Sequence, residues 1–363
     1  MSVTRGRRAA RCFLLALAGS ASLAAATPAV RAEDAAAATL PAPQAGNEAA
    51  GRVTMLEEND SLYFNSDKHY TQGLRFSDLF PTLAPGSGWN APFDWLGGWA
   101  PVFQQSGAAP TERVYAVLFG QSLFTPKNLS QKPPDRHDRP YGGWLYGGAS
   151  LLQDSGGRRL ENFEIDLGVV GPAAFGETVQ NDFHQLIGAQ QAKGWSDQIQ
   201  NEPGVNLTYQ RLWRVPLIGE NDGVDFVPQV GATVGNIFTF GEVGALLRIG
   251  RSLGADYGPV RVQPGLSGTD YFNPSRIDGN HGYYFFIGVQ GRVVGRNIFL
   301  DGNSFRQSPS IAKKVLVGDA EVGFSYFWST KLRVDFSVVE RSEEFVGQRT
   351  PDEVGTAALA FSW

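Results

Sequence analysis

The chain has 363 residues with 31 basic and 36 acidic side chains, 44 glycines, 12% aromatic residues and a single cysteine. The acidic balance argues against nucleic acid as a partner, and one cysteine excludes an internal disulfide framework. Beyond the first thirty or so residues there is no run of roughly 18 apolar residues, so no membrane-crossing helix is expected.

Residues 1–32 read as a signal peptide. MSVTRGRRAARC is a basic start, FLLALAGSASLAAA is an apolar core of suitable length, and Val30-Arg31-Ala32 offers a cleavage site, with Ala25-Ala26-Thr27 as a rival. Cleavage deletes Arg5, Arg7, Arg8, Arg11 and Arg31 and no acid, leaving 26 basic against 36 acidic residues and a formal charge of −10. Cys12 goes with the leader and stands too early to be a lipoprotein cysteine. Residues 33–51, EDAAAATLPAPQAGNEAAG, have no periodic apolar face and are expected to be a flexible lead-in.

Residues 52–363 carry a strand pattern. In KLRVDFSVVER, Leu332, Val334, Phe336 and Val338 alternate with Lys331, Arg333, Asp335 and Ser337. The same period of two runs through Phe163, Ile165, Leu167 and Val169, through Val205, Leu207 and Tyr209, and through Val322, Phe324, Tyr326 and Trp328. A soluble sandwich alternates too. The C-terminus separates the cases: GTAALAFSW puts Leu359, Phe361 and Trp363 on one face and ends on an aromatic, which resembles the terminal signal of bacterial outer-membrane barrels. A closed barrel also pairs every backbone group within hydrocarbon, because it has no edge. The expected fold is therefore all-β, a closed antiparallel transmembrane β-barrel of about 12 strands with short helical segments in its loops. The strands fall near 52–64, 71–79, 113–123, 142–152, 159–170, 202–215, 224–234, 240–250, 282–294, 315–328, 331–342 and 353–363.

With both termini periplasmic, odd strands run outward. Turns 153–158, 216–223 and 329–330 then lie inside the cell envelope, while 80–112 and 251–281 are long periplasmic excursions, the first helical around Phe93 to Phe103. Three polar loops, 64–71, 124–141 and 171–201, converge on the cell-exterior rim.

These loops collect the candidate chemistry. ENDSLYFNSDKHYTQGLRFS (58–77) crowds Asn59, Asp60, Asp67, His69 and Thr71 around one turn. Adjacent residues on a regular strand face opposite ways, so a local bend must aim one of Asn59 and Asp60, or only one binds. Asp60 with a carbonyl from the Tyr70-Thr71 region suits part of a calcium site, which wants about six to eight oxygens. The plainer reading of Asn-Asp is a strand-end turn pair, and of Asp67 beside Lys68 a solvated charge. In VQNDFHQLIG, Gln180 precedes His184 by one helical turn, and a histidine there can act as a general base near neutrality or simply cap or pack a loop. His69, His137 and His281 carry the same plain reading with less around them. Lys127, Lys132, Arg136 and Arg139 make a basic cluster suited to an anionic phosphate, or to a solvated loop with Asp135 and Asp138 as counter-charges. No serine nucleophile elbow, zinc His-Glu motif or phosphate-cradling glycine loop occurs.

Three blocks in this order, ENDSLYFNSDKHYTQGLRFS, DRPYGGWLYGG and VQNDFHQLIGAQQAKGWSDQIQNEPGVNLTYQR, together with the aromatic end, resemble the outer-membrane lipid A deacylase family over essentially the whole chain from residue 52. The resemblance implies a twelve-stranded barrel in the bacterial outer membrane with a calcium-dependent site at outer-leaflet level that removes the 3′-linked acyloxyacyl group of lipid A. It implies His184 as the general base that activates water, Asn59 and Gln180 as further catalytic residues, Asn59, Asp60 and Thr71 around the metal, and Lys132 as a substrate-contacting lysine; Arg139, in the same basic cluster, is the other substrate-binding candidate. The implied partners are lipopolysaccharide in the outer leaflet and the outer-membrane assembly machinery, which reads the C-terminal strand, with the protein a monomer. One departure matters: some members have an acid six residues after the histidine, where this chain has Gln190. An outer-membrane phospholipase using serine, histidine and asparagine and a non-catalytic channel or structural barrel are the competing readings.

Overall fold

The computed structural model of the protein describes residues 51–61, 68–104, 110–262, 269–329 and 331–363. The signal peptide, most of the lead-in and Asp67 lie outside the described residues. Twelve antiparallel strands form one wall: β1 (Arg52–Asn59), β2 (His69–Leu79), β3 (Thr111–Thr125), β4 (Gly142–Ser155), β5 (Arg159–Val170), β6 (Glu202–Trp213, resumed at Val215–Ile218), β7 (Gly223–Gly235), β8 (Phe238–Arg251), β9 (His281–Asn297), β10 (Leu316–Trp328), β11 (Leu332–Arg341) and β12 (Asp352–Ser362). The two parts of β6 count as one strand because Leu212↔Gln229 and Val215↔Phe226 keep a common register past Arg214.

The wall closes. β1 pairs with β12 from Arg52↔Ser362 to Asn59↔Gly355, and β6 pairs with β7 from Asn206↔Gly235 to Leu212↔Gln229, so no edge is left to meet hydrocarbon. Strand alternation sorts the side chains. Val53, Met55, Phe76, Val117, Phe119, Val205, Leu207, Phe285, Ile287, Phe336, Leu359 and Phe361 are exposed on the outer face, and their neighbours in sequence are buried inside.

The interior is filled. The described parts of this connection, residues 252–262 and 269–280, do not hang free as a periplasmic excursion; they fold up into the barrel. The physical reason is charge. Inward-facing Arg75, Arg248, Arg333 and Glu58 need buried partners, and this segment supplies them: Asp270 takes Arg75 (2.8 Å), Asp256 takes Arg248 (2.5 Å) and Arg333 (2.7 Å), and Arg261 pairs with Glu58 and with Glu321 (3.3 Å). Two interior cavities beside this segment have volumes of about 10 Å³ each, room for about one water apiece. At the other end Phe299, on the single helical turn Ile298–Asp301, stacks on Phe124 with centroids 4.1 Å apart and caps the lumen.

The other long segment, 80–104, contains the expected helix, α1 (Ala91–Trp99). It too departs from a free excursion, because it lies on the outside of the wall: Phe93 packs on Tyr115, which shares the outward face of β3 with Val117 and Phe119. A second helix, α2 (Gly176–Ile187), sits on the same outer face at the opposite end of β3.

Candidate active site

The site is assembled where β1 ends, β2 begins and α2 crosses the outer wall. Asn59 is in phase with Val53 and Met55, so its side chain is carried to the outer face. Its Oδ1 accepts hydrogen bonds from the Ser61 backbone N–H (2.7 Å) and hydroxyl (2.5 Å), an Asx turn that stops the strand. Asp60 therefore lies past the pleat, in the bend, and the alternation that would have turned it away from Asn59 no longer applies. Its Oδ2 accepts from the Lys68 N–H across the hairpin (2.5 Å), and the side chain is buried.

β2 contributes through a bulge. The register against β3 runs Tyr70↔Phe124 and then Gln72↔Leu123, leaving Thr71 as the extra residue. A bulge re-aims side chains locally, and here Thr71 and Gln72 line one pocket while the Thr71 hydroxyl meets that of Thr125 at 2.7 Å.

α2 is positioned by small residues and one tryptophan. A Cβ on Gly176 would lie 2.5 Å from the Trp195 ring, so the helix starts flush against that indole only with glycine there. Gln121, Leu123 and Thr125 are on the outward face of β3 yet buried, because α2 and the segment leading into it cover them; Gln121 Nε2 donates to the Ala174 carbonyl (2.7 Å). Trp195 Nε1 donates to Gln180 Oε1 (2.8 Å), fixing one end of the functional face. The helix stops at Gly188, whose φ of 71° favours glycine, and Ala189 N–H returns to the His184 carbonyl at 2.8 Å.

That stop sets the histidine. His184 Nδ1 is 2.5 Å from the Gln190 carbonyl oxygen, which can only accept, so Nδ1 carries the proton and Nε2 the lone pair. Gln190 thus orients His184 through its backbone, a role that survives the departure from acid to amide at this position.

The result is a pocket of about 290 Å³ lined by Asn59, Asp60, Thr71, Gln180 and His184, together with Ser61, Gln72, Phe183, Ile187 and Ala189. Five of the seven residues singled out in the sequence meet here. Phe183 and Ile187 were missed, although with Gln180 and His184 they make one helical stripe at spacings of three and four, the signal that would have found them. The barrel side of the pocket is polar, whereas α2 supplies Gln180 and His184 together with an apolar edge of Phe183 and Ile187, which with Leu186 remain exposed.

Two candidates lie elsewhere. Lys132 is exposed on the second loop and is not among the residues lining this pocket. Arg139 is corrected: it is fully buried, donates to Glu344 (3.1 Å) and lies over the Phe124 ring at 4.7 Å, so its cation is engaged inside the barrel rather than offered to a substrate. A wider groove of about 800 Å³, bordered by Lys127, Asn128, Gln131, Asp135, Asp138 and Gln190, continues from the pocket across Ala189. Burial pushes the Asp138 carboxyl up, but hydrogen bonds from His69 and the Lys127 N–H outweigh it and hold the group below its ordinary value. His69 is a structural residue, held between Asp352 (2.7 Å) and Asp138 (3.3 Å); His137 is exposed, 3.2 Å from Asp135, and His281 pairs with Tyr326 (2.9 Å) at the other end of the barrel.

A family model for the outer membrane protein LpxR matches residues 15–363. The chain belongs to the LpxR family of outer membrane proteins. The barrel is similar to the solved LpxR from Salmonella typhimurium, with a TM-score of 0.65 and 21% identity over 86% of this chain and 100% of that one. Weaker likeness extends to the β domain of the Bordetella autotransporter BrkA (TM-score 0.43, 10% identity, 86% and 99% covered) and to the NalP translocator domain from Neisseria meningitidis (TM-score 0.37, 10% identity, 87% and 90% covered). No curated protein sequence matches the chain. As an LpxR-family barrel it resides in the bacterial outer membrane, and the apolar band on its outer face is the surface that lipid covers. The pocket of this LpxR-family member opens on that outer face, between wall and helix.

Proposed function

We propose that the protein is an outer-membrane ester hydrolase that removes the 3′-linked acyloxyacyl chain of lipid A, with the pocket end of the barrel toward the cell exterior. The observation that carries this reading is the meeting of His184 with Asn59, Asp60 and Thr71 in one pocket on the lipid side of the wall. An outer-leaflet lipid reaches it sideways without leaving the membrane, its acyl chain along Phe183 and Ile187 and its polar head toward the groove and Lys132.

Water is the nucleophile. His184 Nε2 takes a proton from it as its oxygen bonds to the acyl carbon, and the Gln190 carbonyl stabilises the imidazolium. The ester C–O bond then breaks, His184 returns the proton to the departing sugar oxygen, and the products are a fatty acid and a 3′-hydroxyl.

The donor set fits a hard cation. Asp60, the Thr71 hydroxyl, amide oxygens and backbone carbonyls are oxygen ligands of the kind calcium takes. One carboxylate among the described residues of the pocket implies modest affinity. When bound, calcium would supply electrostatic stabilisation of charge developing on the ester oxygen.

The rivals are less well supported. Ser61 lines the pocket, but its hydroxyl bonds to Asn59 rather than His184, which disfavours a serine phospholipase. The packing of the described interior residues disfavours a channel. The reading extends to a monomer inserted by the assembly machinery, which would recognise β12 at the closing seam. Purified protein incubated with lipid A, with calcium or a chelator, tests it by mass spectrometry: loss of the 3′ acyloxyacyl group only with calcium supports it, and release of a lysophospholipid from phospholipid instead would refute it.

A further inference from the structure

At the barrel end opposite the pocket, segment 80–104 is bound flat to the outer wall by its polar atoms. Arg113 donates to Asp94 on α1 (2.8 Å), Arg211 to the Pro101 carbonyl (2.5 Å), and the Phe103 N–H donates to Glu161 (3.1 Å). Phe93 and Phe103, with centroids 5.1 Å apart, pack down toward Tyr115. The side turned away from the wall is different. Trp95 and Trp99 are 63% and 79% exposed and stand 6.0 Å apart, and Trp89, 70% exposed, flanks them with one edge against the Tyr115 ring at 6.2 Å. Asp94 is the one charged residue in 80–104, and Arg113 neutralises it.

Three largely exposed indoles on an almost uncharged strap are an unfavourable surface for water and a suitable one for a membrane interface, where tryptophan places its ring among headgroups. The patch is also continuous with the lipid-facing wall, since Val117 and Phe119 follow Tyr115 on the same face of β3. We propose that α1 is an interfacial anchor whose ligand is the phospholipid surface of the inner leaflet.

The position of the two helices on one strand gives the anchor a purpose. Tyr115 lies under α1, and Leu123, eight positions along β3, lies under α2. Eight residues span about 27 Å of strand at ~3.4 Å each, or about 21 Å along the membrane normal at a tilt near 40°. That is close to the apolar band of about 25 Å that such barrels present. An α1 seated at one boundary holds α2, and the pocket beneath it, at the other. The claim stands independently of what the pocket hydrolyses.

The chain has one native thiol, Cys12, so with Cys12→Ser single labels can be placed. Trp95→Cys and Trp99→Cys, nitroxide-labelled in phosphatidylethanolamine/phosphatidylglycerol vesicles, should favour oxygen over a water-soluble nickel chelate several-fold more than a label at Gln131→Cys on the rim, and approach Phe119→Cys on the lipid face. Ratios at 95 and 99 equal to that at 131 would place the strap in water and overturn the anchor. Dipolar broadening between labels would overturn it as well, by showing a second copy on the patch. Independently of labelling, vesicles with brominated acyl chains should quench the tryptophan fluorescence of the intact chain more than that of the Trp89→Ser/Trp95→Ser/Trp99→Ser variant; equal quenching in both counts against the anchor.

Discussion

His184 is exposed to test because its surroundings assign each nitrogen a separate task. His184→Asn keeps a side chain of similar polarity on an already formed helix, so the barrel should fold unchanged while hydrolysis falls by about two to four orders of magnitude; a rate within tenfold of the parent would remove the histidine from the mechanism. Asp60→Ala removes the one carboxylate among the pocket's described residues, and the calcium concentration for half-maximal activity should rise at least tenfold, whereas an unshifted titration contradicts the assignment. Ser61→Ala should leave the rate within a few-fold if water is the nucleophile, and a collapse would restore the serine reading. At this scale the sequence was legible where spacing alone decides. Gln180 and His184 share a face because they are four apart on a helix, and the hairpin brings Asn59, Asp60 and Thr71 together. Arg139 was not legible: a loop arginine among prolines and aspartates looks solvent-facing, and only the return of Glu344 from the far side of the ring shows that it is buried.

Elements impose the geometry that residue spacing leaves open. The question whether Asn59 and Asp60 can serve one site is answered by the Asx turn at the end of β1 and the bulge at Thr71, neither of which alternation alone announces. α2 is legible as a helix, but its seat on the outer wall is not, since Leu123 has the outward phase of a lipid-facing residue and is buried only by what lies over it. Gly176 makes that seat possible. Gly176→Val should push α2 off the Trp195 ring and lower activity at least tenfold, with the folded barrel retained as judged by its faster gel mobility before boiling. Full activity with normal mobility would mean that the flush contact is dispensable.

For the whole molecule, twelve strands and their parity are written in the period-two pattern, with most boundaries within a few residues; the first strand, expected over 52–64, ends at Asn59, and 62–64 lie outside the described residues. What fills the barrel is not so written, because residues 252–262 and 269–280 show no periodicity and their partners lie on strands far away in sequence. Arg261 links that filling to Glu58, whose other oxygen accepts from Tyr70 (2.9 Å), so the plug braces the two strands that carry the site. Arg261→Met leaves Glu58 and Glu321 buried without their cation and should cost about 3–5 kcal/mol, read as a lower urea midpoint of unfolding; an unchanged midpoint would show that the ion pair is not needed. A barrel so filled should also show no steady conductance in a planar bilayer, and a stable open level of porin size would contradict the packed interior.

The proposed chemistry needs a histidine on α2 and oxygen ligands from the first hairpin to act together on an outer-leaflet ester. The most direct measurement is mass spectrometry of lipid A after incubation with the parent protein and with His184→Asn, both in calcium. The expected result is a product lacking the 3′ acyloxyacyl group with the parent and intact lipid A with the variant. Intact lipid A in both, or equal shortening in both, would contradict the account.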